Sequence, residues 1–499
     1  MPTPEDIWAD ADLPARRLAG VALNPSSPDD VLLRLLADGP EAVRMVLCRD
    51  RILPDAVVEA VLQHPDTRTR SFFARNPHAD PAQRARLVDD PEWFVRAHLV
   101  QPPRLPHGGP HRPLPDETVV RMLSTYDNDT LDHSLYQQIS PGLRRAMPTH
   151  PVAEVRALGV GEWGLLTAGT RAALLADPDD EVRDRAERHA RLEDPAWVER
   201  ALPDRPCHAR WDLLMNQALS RTVVDGVLTA PVSEGERAAI AGNPSLPADV
   251  VVLLATDPDP EVRAKIAGRA DLGPAERRAL AVDPDPEVRL TLSVHPELTE
   301  EERAAIDYAI PVNDYFDVLP GRPSVPRDPQ DVRRDATSGH PFLRRRAAQD
   351  QFLPPDLMER LAADDDLGVR VLLAQHHPDA PGPLLLRSFL EYEGPGRAHL
   401  TTRPNFPTAG LSAFADHADP EVRALAARDP HTAPATVERL TRDPDPAVRA
   451  ALARHPNLPP LRLSELLDDE ELAHAAAANP ALGSEVMHQL LATRGHRDT

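Results

Sequence analysis

The sequence predicts an all-α protein, an α-solenoid of about eighteen two-helix repeats of about 26 residues. Three observations predict this fold. The motif Asp-Pro-Asp-Pro-Glu-Val-Arg stands at residues 257–263 and again at 283–289, and a close copy stands at 443–449. Its last residue, arginine, returns every 26 or 27 residues over most of the chain. No segment shows the alternation of apolar and polar residues that predicts a strand.

The recurring arginine, here called the anchor arginine, fixes the register of the repeats. Six residues after it comes Asn, His or Asp, as at Asn243, and nine residues after it comes Leu, as at Leu246. Two long gaps, Arg96 to Arg156 and Arg289 to Arg344, each leave room for one degenerate repeat, and further repeats without the arginine are predicted around Leu18 and Ala473. The fourteen anchor arginines are Arg44, Arg70, Arg96, Arg156, Arg183, Arg210, Arg237, Arg263, Arg289, Arg344, Arg370, Arg397, Arg423 and Arg449.

Each repeat begins with a short helix. Asp259 is a suitable N-cap, and Pro260 suits the first helical position, where its missing N–H costs nothing. Val262 and Ile266 are four residues apart and therefore share one face. The helix is predicted to end near Gly268, after two turns at most, and to be partly 3₁₀.

A second helix completes each repeat. In the preceding repeat it is predicted over about 247–255, with Val250, Leu253 and Leu254 at helical spacing. Where proline is absent, residues 233–236 and 299–302 fit the capping box. Helices this short are unstable alone, so each must bury its apolar face against the neighbouring repeats.

The predicted organisation is one array over residues 1–499. The run Asp468–Glu471 is acidic and, like the polar C-terminus, is interpreted as covering an end of the array, which disfavours self-assembly. The predicted segments are an N-terminal cap at 1–20, repeats at 21–101, a Pro/Gly-rich insert loop at 102–115, repeats at 116–307, a degenerate repeat at 308–335, repeats at 336–483 and a C-terminal cap with a polar tail at 484–499.

Composition narrows the function classes. Proline supplies 56 of 499 residues, at regular positions, which indicates that the prolines mark the boundaries of elements in an ordered chain. The net charge of −23 argues against nucleic acid as a partner, because phosphates require Lys and Arg. Lys265 is the one lysine, a bias typical of GC-rich bacterial genes. With no apolar leader or membrane-length apolar run, the expected location is the cytoplasm.

Residues 243–247, Asn-Pro-Ser-Leu-Pro, followed by the motif at 257–263, resemble the leucine-rich repeat variant family, which is similar to HEAT and armadillo repeats. The resemblance covers nearly the whole chain and implies a right-handed superhelix that alternates α and 3₁₀ helices. A prototype of the family carries an N-terminal iron–sulfur cluster on a group of cysteines. This chain has only Cys48 and Cys207, so no cofactor is expected.

Two periodic polar features have a structural and a functional interpretation. The anchor arginines could pair with Asp of their own or the next Asp-Pro turn, which is favoured, or form a stripe for an anionic partner. The repeated histidines, such as His295 and His455, could bind metal, but the same sites accept Asn and Asp. Turn capping is therefore the favoured interpretation, and no metal site is expected.

Two non-periodic segments are candidates for partner binding. Inserts in repeat proteins often lie on the binding face, and the segment from Tyr308 to Phe316 concentrates aromatic residues in a chain that has few. A neutral surface loop and a repacked core are the structural alternatives. The candidate residues are Tyr308, Tyr315, Phe316, Arg104, His107, His111 and Arg112.

The expected function is a non-enzymatic scaffold that binds a protein partner as a monomer, without cofactor or membrane. No catalytic motif occurs in the sequence. The alternatives are a HEAT-like enzyme of the DNA glycosylase or bilin lyase type, a nucleic-acid-binding solenoid and a self-assembling structural protein. The charge of −23 counts against the glycosylase and the 4% aromatic content against the lyase.

Overall fold

The computed structural model describes residues 12–103, 112–127, 130–131, 133–230, 234–310 and 327–492. These residues form helices and turns, with no strand among them. The predicted all-helical α-solenoid is confirmed. By their contacts the residues divide into compact unit 1, which joins Met1–Val155 with Pro407–Thr499, and compact unit 2, which is Arg156–Phe406.

Compact unit 1 takes helices from both ends of the chain. Its 3₁₀ segments are His133–Gln138, Met147–Thr149, Leu411–Phe414 and Leu425–Arg428. Its α-helices before the division are α1 (Leu13–Leu23), α2 (Asp29–Asp38), α3 (Glu41–Arg49), α4 (Asp55–Leu62), α5 (Thr67–Ala74), α6 (Pro81–Ala85), α7 (Trp93–Val100), α8 (Asp116–Thr125), α9 (Pro141–Ala146) and α10 (Ala153–Gly159), which crosses the division.

Compact unit 2 has one 3₁₀ segment among its described residues, Val160–Leu165. Its α-helices are α11 (Ala168–Leu175), α12 (Asp180–Leu192), α13 (Pro195–Ala201), α14 (His208–Asn216), α15 (Arg221–Thr229), α16 (Glu234–Ala241), α17 (Ala248–Leu254), α18 (Pro260–Ala267), α19 (Pro274–Leu280), α20 (Pro286–Ser293), α21 (Glu300–Ala304), α22 (Pro329–Thr337), α23 (Pro341–Ala348), α24 (Pro355–Ala362), α25 (Leu367–His376), α26 (Gly382–Glu391) and α27 (Arg397–Leu400).

The chain then returns to compact unit 1. The remaining α-helices are α28 (Pro420–Ala424), α29 (Pro434–Leu440), α30 (Pro446–Ala453), α31 (Pro460–Leu467), α32 (Ala473–Ala477) and α33 (Ser484–Ala492).

The first helix of a repeat begins as predicted. In α18 the Asp259 carboxylate accepts the N–H of Glu261 at 2.9 Å, and Pro260 is the first helical residue. The helix ends at Ala267 with Gly268 as its C-cap, and Val262 and Ile266 are fully buried. The capping box at Thr299 is also present. The Asp-Pro pair therefore starts the helix by satisfying a free N–H and by setting the backbone angle of the first residue.

The second helix buries a different face from the one predicted. In α17, Val250 and Leu254 are buried, but Leu253 is 56% exposed, so its assignment to the apolar face was wrong. The buried residues of α17 are Val250, Val251 and Leu254, so the buried face lies on the side of Val251 and not on the side of Leu253. Leu165, nine residues after Arg156, is also exposed, since it ends a 3₁₀ segment instead of entering a second helix.

Buried polar side chains, most of them Asn, join several repeats to the one before, and we call this series the Asn ladder. Asn76 donates from its amide to the carbonyls of Cys48 and Arg51, at 2.8 and 2.9 Å. The residue six positions after the anchor arginine thus satisfies carbonyls where the preceding first helix ends. The same backward bond is made by Gln138 to Leu99 and Val100, Asn243 to Leu214 and Gln217, His295 to Arg269, His455 to Asp429, and Asn479 to Ala453 and His455.

The first and last repeats pack against each other within compact unit 1. Helix α1 lies on α32, and Gly20 approaches so closely that an added Cβ would stand 2.2 Å from the carbonyl oxygen of His474. Asn24 continues the Asn ladder by donating to the carbonyls of Ala477 and Asn479, at 2.9 and 2.6 Å. The last repeat therefore packs against the first repeat in the way that a preceding repeat packs against the next one.

Charged residues add to this junction. Arg17 donates to the carbonyl of Leu467 at 2.7 Å and pairs with Asp468, and Arg16 donates to the carbonyl of Glu470. The acidic run that the sequence suggested as an outer cover thus contacts α1. Of the two predicted caps, residues 12–20 lie in or at α1 and residues 484–492 form α33, which packs on α1 and α2; residues 1–11 and 493–499 lie outside the described residues.

Candidate interaction surface

The anchor arginines join each repeat to the one after it, and we call this series the Arg ladder. Arg263 donates from Nε and Nη2 to both oxygens of Asp283, at 2.8 and 2.9 Å. Its Nη1 donates to the carbonyl of Asp257 at 2.8 Å, which closes the turn of its own repeat. The equivalent carboxylate pairs are Arg44–Asp66, Arg70–Asp90, Arg156–Asp177, Arg210–Glu236, Arg237–Asp257, Arg344–Asp364, Arg370–Glu391, Arg423–Asp443 and Arg449–Glu471.

The ladder explains why the motif carries two aspartates. Asp257 accepts from Arg237 of the preceding repeat at 3.0 Å and from the N–H of Asp259 at 3.0 Å. Asp259 caps the helix. The structural interpretation is confirmed for the ten anchor arginines of these pairs, since their side chains are held between successive turns. The hydrogen bond from Arg423 lowers the pKa of Asp443, and the bond from Arg156 lowers the pKa of Asp177.

The repeated histidines cap turns, as favoured from the sequence. His295 donates from Nε2 to the carbonyl of Arg269 at 2.8 Å and accepts the N–H of Glu297 at Nδ1, at 3.1 Å. Burial lowers the pKa of His295, which keeps the ring neutral. Among the described residues no group of three His, Cys, Asp or Glu side chains could hold a metal ion.

The Arg ladder is interrupted at more than one repeat. Arg183 pairs with Asp180 of its own turn, and a further interruption follows Arg96. In place of a carboxylate, its guanidinium lies over the ring of Tyr126, 5.6 Å from the centroid. The Tyr126 hydroxyl donates to the carbonyl of Val88 at 2.6 Å, and burial raises the pKa of this phenol. The interruption after Arg96 falls where the sequence has its first long gap, and there the 3₁₀ segment His133–Gln138 replaces an α-helical first helix.

An open groove of about 740 Å³ accompanies this degenerate repeat. It runs between the second helices α8 and α9. One side presents successive turns of α8, and the other presents Gly142, Leu143 and Ala146 of α9. The full lining is Asp116, Glu117, Val120, Arg121, Ser124, Thr125, Gly142, Leu143, Ala146 and His150.

Two aromatic side chains are exposed on α7, the helix that carries Arg96. Trp93 is 60% exposed and Phe94 is 38% exposed. Their rings meet edge to face at 6.0 Å, and Phe94 packs on the ring of His98 at 4.2 Å. Burial lowers the pKa of His98 to about 4, so it remains an uncharged aromatic neighbour. An exposed Trp in a chain with five tryptophans is a typical interaction residue.

Two side chains bond the groove-lining helix α8 to the turn before α7, and we call the exposed residues of α7 together with the groove lining the α7–α8 surface. Arg121 in the groove lining donates to Asp89 at 2.7 Å, four residues before Trp93. Tyr126 follows the last groove residue of α8 and receives Arg96 from α7. The turn that precedes α7 is therefore tied to α8 by two side chains.

The sequence did not identify Trp93 or Phe94. Both belong to a regular repeat and are neither part of a periodic polar feature nor part of a non-periodic segment. The available signal was a break in the motif, because the position of Trp93, three residues before the anchor arginine, is proline at Pro260 and Pro286. A large apolar residue at a helix start that otherwise takes proline has no role in starting the helix.

Of the seven candidate residues, the structure describes two. Arg112 is exposed and donates to the carbonyl of Ala79, in compact unit 1. Tyr308, in compact unit 2, is half-buried and stacks on His340, with ring centroids 4.3 Å apart. The two residues belong to different compact units. Arg104, His107, His111, Tyr315 and Phe316 lie outside the described residues.

The part of the chain that the structure describes contains no helix with both the length and the apolar character needed to cross a bilayer.

Comparison with known proteins gives one family match. The family model described as leucine rich repeat variant matches residues 446–471, which run from the helix of Arg449 to its partner Glu471. No curated protein sequence matches the chain. A crystal structure of an engineered protein aligns over 95% of this chain and 96% of that chain, at 15% identity and a TM-score of 0.10. The chain is therefore an all-helical repeat protein with a leucine rich repeat variant repeat at residues 446–471.

Proposed function

We propose that the protein is a non-enzymatic scaffold that binds a protein partner through the α7–α8 surface. The observation that carries this proposal is the exposure of Trp93 and Phe94 on α7, whose preceding turn is bonded to the groove-lining helix α8, at one of the repeats where the Arg ladder is interrupted. Aromatic side chains supply much of the binding energy of protein interfaces, and solenoids present continuous surfaces to partners.

The polar residues support a protein partner over nucleic acid. Among the described residues eleven anchor arginines, including Arg289 with Asp307, pair with carboxylates of the following repeat, and the chain carries a net charge of −23. Binding to a phosphate backbone requires cationic side chains that are free to replace counterions. The proposal includes no catalytic step, because the groove needs no chemistry to hold a partner segment.

The test is affinity capture from the native cell with two variants. Trp93→Ala with Phe94→Ala removes the exposed rings, and Ile52→Ala with Phe352→Ala is the matched control, because those side chains are 73% and 53% exposed elsewhere. We expect the first variant to lose a partner that wild type and control both retain. Equal capture by all three chains, at unchanged thermal stability, would contradict the proposal.

A further inference from the structure

The groove between α8 and α9 has an apolar floor. Leu143 is 4% exposed and forms its base, while Val120 and Ala146 line the two sides. Gly142 contributes no side chain, and a Cβ added there would have only the hydroxyl of Ser140 nearby, at 3.5 Å. The groove therefore has room for an apolar side chain from another molecule.

The rim of the groove carries uncompensated negative charge. Asp116 and Glu117 are exposed in the first turn of α8, and among the described residues neither pairs with a cation. Arg121, the one arginine of the lining, donates to Asp89 at 2.7 Å, so its charge is already compensated. A ligand that enters the groove thus meets two free carboxylates above an apolar floor.

This arrangement selects the chemistry of the occupant. A neutral apolar segment would leave both carboxylates unpaired, and an acidic segment would be repelled by them and by the net charge of −23. A segment that carries Arg or Lys beside an apolar residue pairs with Asp116 and Glu117 while it covers Leu143. The negative field of the whole chain also accelerates the approach of such a segment.

We propose that the groove binds a basic, amphipathic segment of a partner protein, with an apolar side chain on Leu143 and cationic side chains on Asp116 and Glu117. This inference deepens the proposed function and rests on it. Both proposals concern the same degenerate repeat. There the 3₁₀ segment His133–Gln138 lies between α8 and α9 in the chain, and the groove lies between these two helices.

The test uses the full chain and a fluorescent peptide of alternating leucine and arginine, with a glutamate-for-arginine peptide as the negative probe. Binding is followed by anisotropy at physiological salt. Asp116→Asn with Glu117→Gln should weaken binding of the basic peptide about tenfold, which corresponds to ~1.4 kcal/mol. Ala146→Trp, which fills the groove, should abolish binding while circular dichroism remains unchanged.

The matched control is Asp29→Asn with Asp30→Asn. These residues occupy the same first-turn positions of α2, which also follows a proline N-cap, so the change in charge at the helix start is the same. Asp30 also lies 3.4 Å from His488 of α33. We expect less than a twofold change in peptide binding for this control. If both double variants lost peptide binding to the same extent, net charge alone would explain the loss and the proposal would be overturned.

Two further outcomes would also overturn it. One is the absence of basic-peptide binding to wild type. The other is occupation of the groove by a second copy, seen as a wild-type dimer in light scattering that Ala146→Trp converts to monomer. Neither result bears on the Trp93 capture experiment. If the basic peptide does not bind but partner capture still depends on Trp93, the proposed function is retained and only this inference fails. If capture does not depend on Trp93 but the basic peptide binds, the role of Trp93 in the proposed function fails and peptide binding by the groove is retained.

Discussion

Asn24, in the first repeat, donates its side-chain amide to the carbonyl of Asn479, in the last repeat, at 2.6 Å. Asn479 makes the same bond to His455, in the repeat before it, at 2.8 Å. The Asn ladder therefore continues from the last repeat to the first without a change of geometry. As a consequence, Ala473, Ala476 and Ala477 of the last repeat are fully buried under α1.

The junction between the first and last repeats should be as costly to break as an internal one. Asn24→Ala leaves the buried carbonyls of Ala477 and Asn479 unsatisfied, and Asn243→Ala does the same at Leu214 and Gln217. We expect each variant to lose about 1–3 kcal/mol of unfolding free energy in urea. A neutral Asn24→Ala beside a costly Asn243→Ala would mean that the chain ends do not pack.

One substitution at two helical glycines should have opposite effects. Gly20→Ala in α1 places a Cβ 2.2 Å from the carbonyl oxygen of His474, so the junction must move apart and the melting temperature should fall. Gly226→Ala in α15 meets nothing within 4 Å and should stabilise the protein by about 0.5–1 kcal/mol through helix propensity. Stabilisation by both variants, measured by calorimetry, would contradict the close approach at Gly20.

The Arg ladder should contribute to stability where it is buried. The side chains of Arg70 and Asp90 are 9% and 4% exposed, so Asp90→Asn leaves an arginine charge buried without its partner. We expect a loss of about 3–5 kcal/mol in urea unfolding. The control is Asp249→Asn, which breaks the exposed Arg221–Asp249 pair and should have no measurable effect. Similar effects of the two variants would argue against a structural role for the ladder.

The ladder carboxylates predict loss of stability in acid. The pKa values of Asp177 and Asp443 are lower in the folded chain than their ordinary value of 3.8, so the folded state binds fewer protons than the unfolded state in this range. Stability is therefore complete above 3.8 and falls as pH drops through the lowered values. Melting temperatures below pH 4 should decline less steeply for Asp177→Asn with Asp443→Asn than for wild type, and parallel curves would exclude these two groups as the cause.

Local features of the fold follow from the sequence because each depends on residues within one or two repeats. Asp259, Pro260 and Gly268 set the limits of α18, and the phase of Arg263 with Asp283 predicts a bridge between neighbouring turns. The sequence left open whether the partner belongs to the same repeat or the next. In the structure the next repeat supplies the carboxylate that Arg263 binds, and the turn of its own repeat supplies the carbonyls.

Two features could not be read from periodicity. The contact of Asn24 with Asn479 joins residues 455 positions apart, and a repeat pattern does not indicate which end meets which. The groove depends on how α8 and α9 separate when an intervening helix becomes 3₁₀, which is a matter of packing. The exposure of Leu253 has the same origin, because the packing of the neighbouring helices decides which residues of α17 are buried.

The central claim is that every repeat is held by its neighbours and that the first repeat takes the last as its predecessor. Spin labels at Ser26→Cys and Ala481→Cys test it directly, because the Ser26 hydroxyl donates to the carbonyl of Pro480 at 2.9 Å. Exposed Cys207 is replaced by serine, and buried Cys48 is retained. We expect a narrow distribution of short distances between the two labels, which dilution with unlabelled protein leaves unchanged. A broad distribution at long distance would contradict the contact between the first and last repeats.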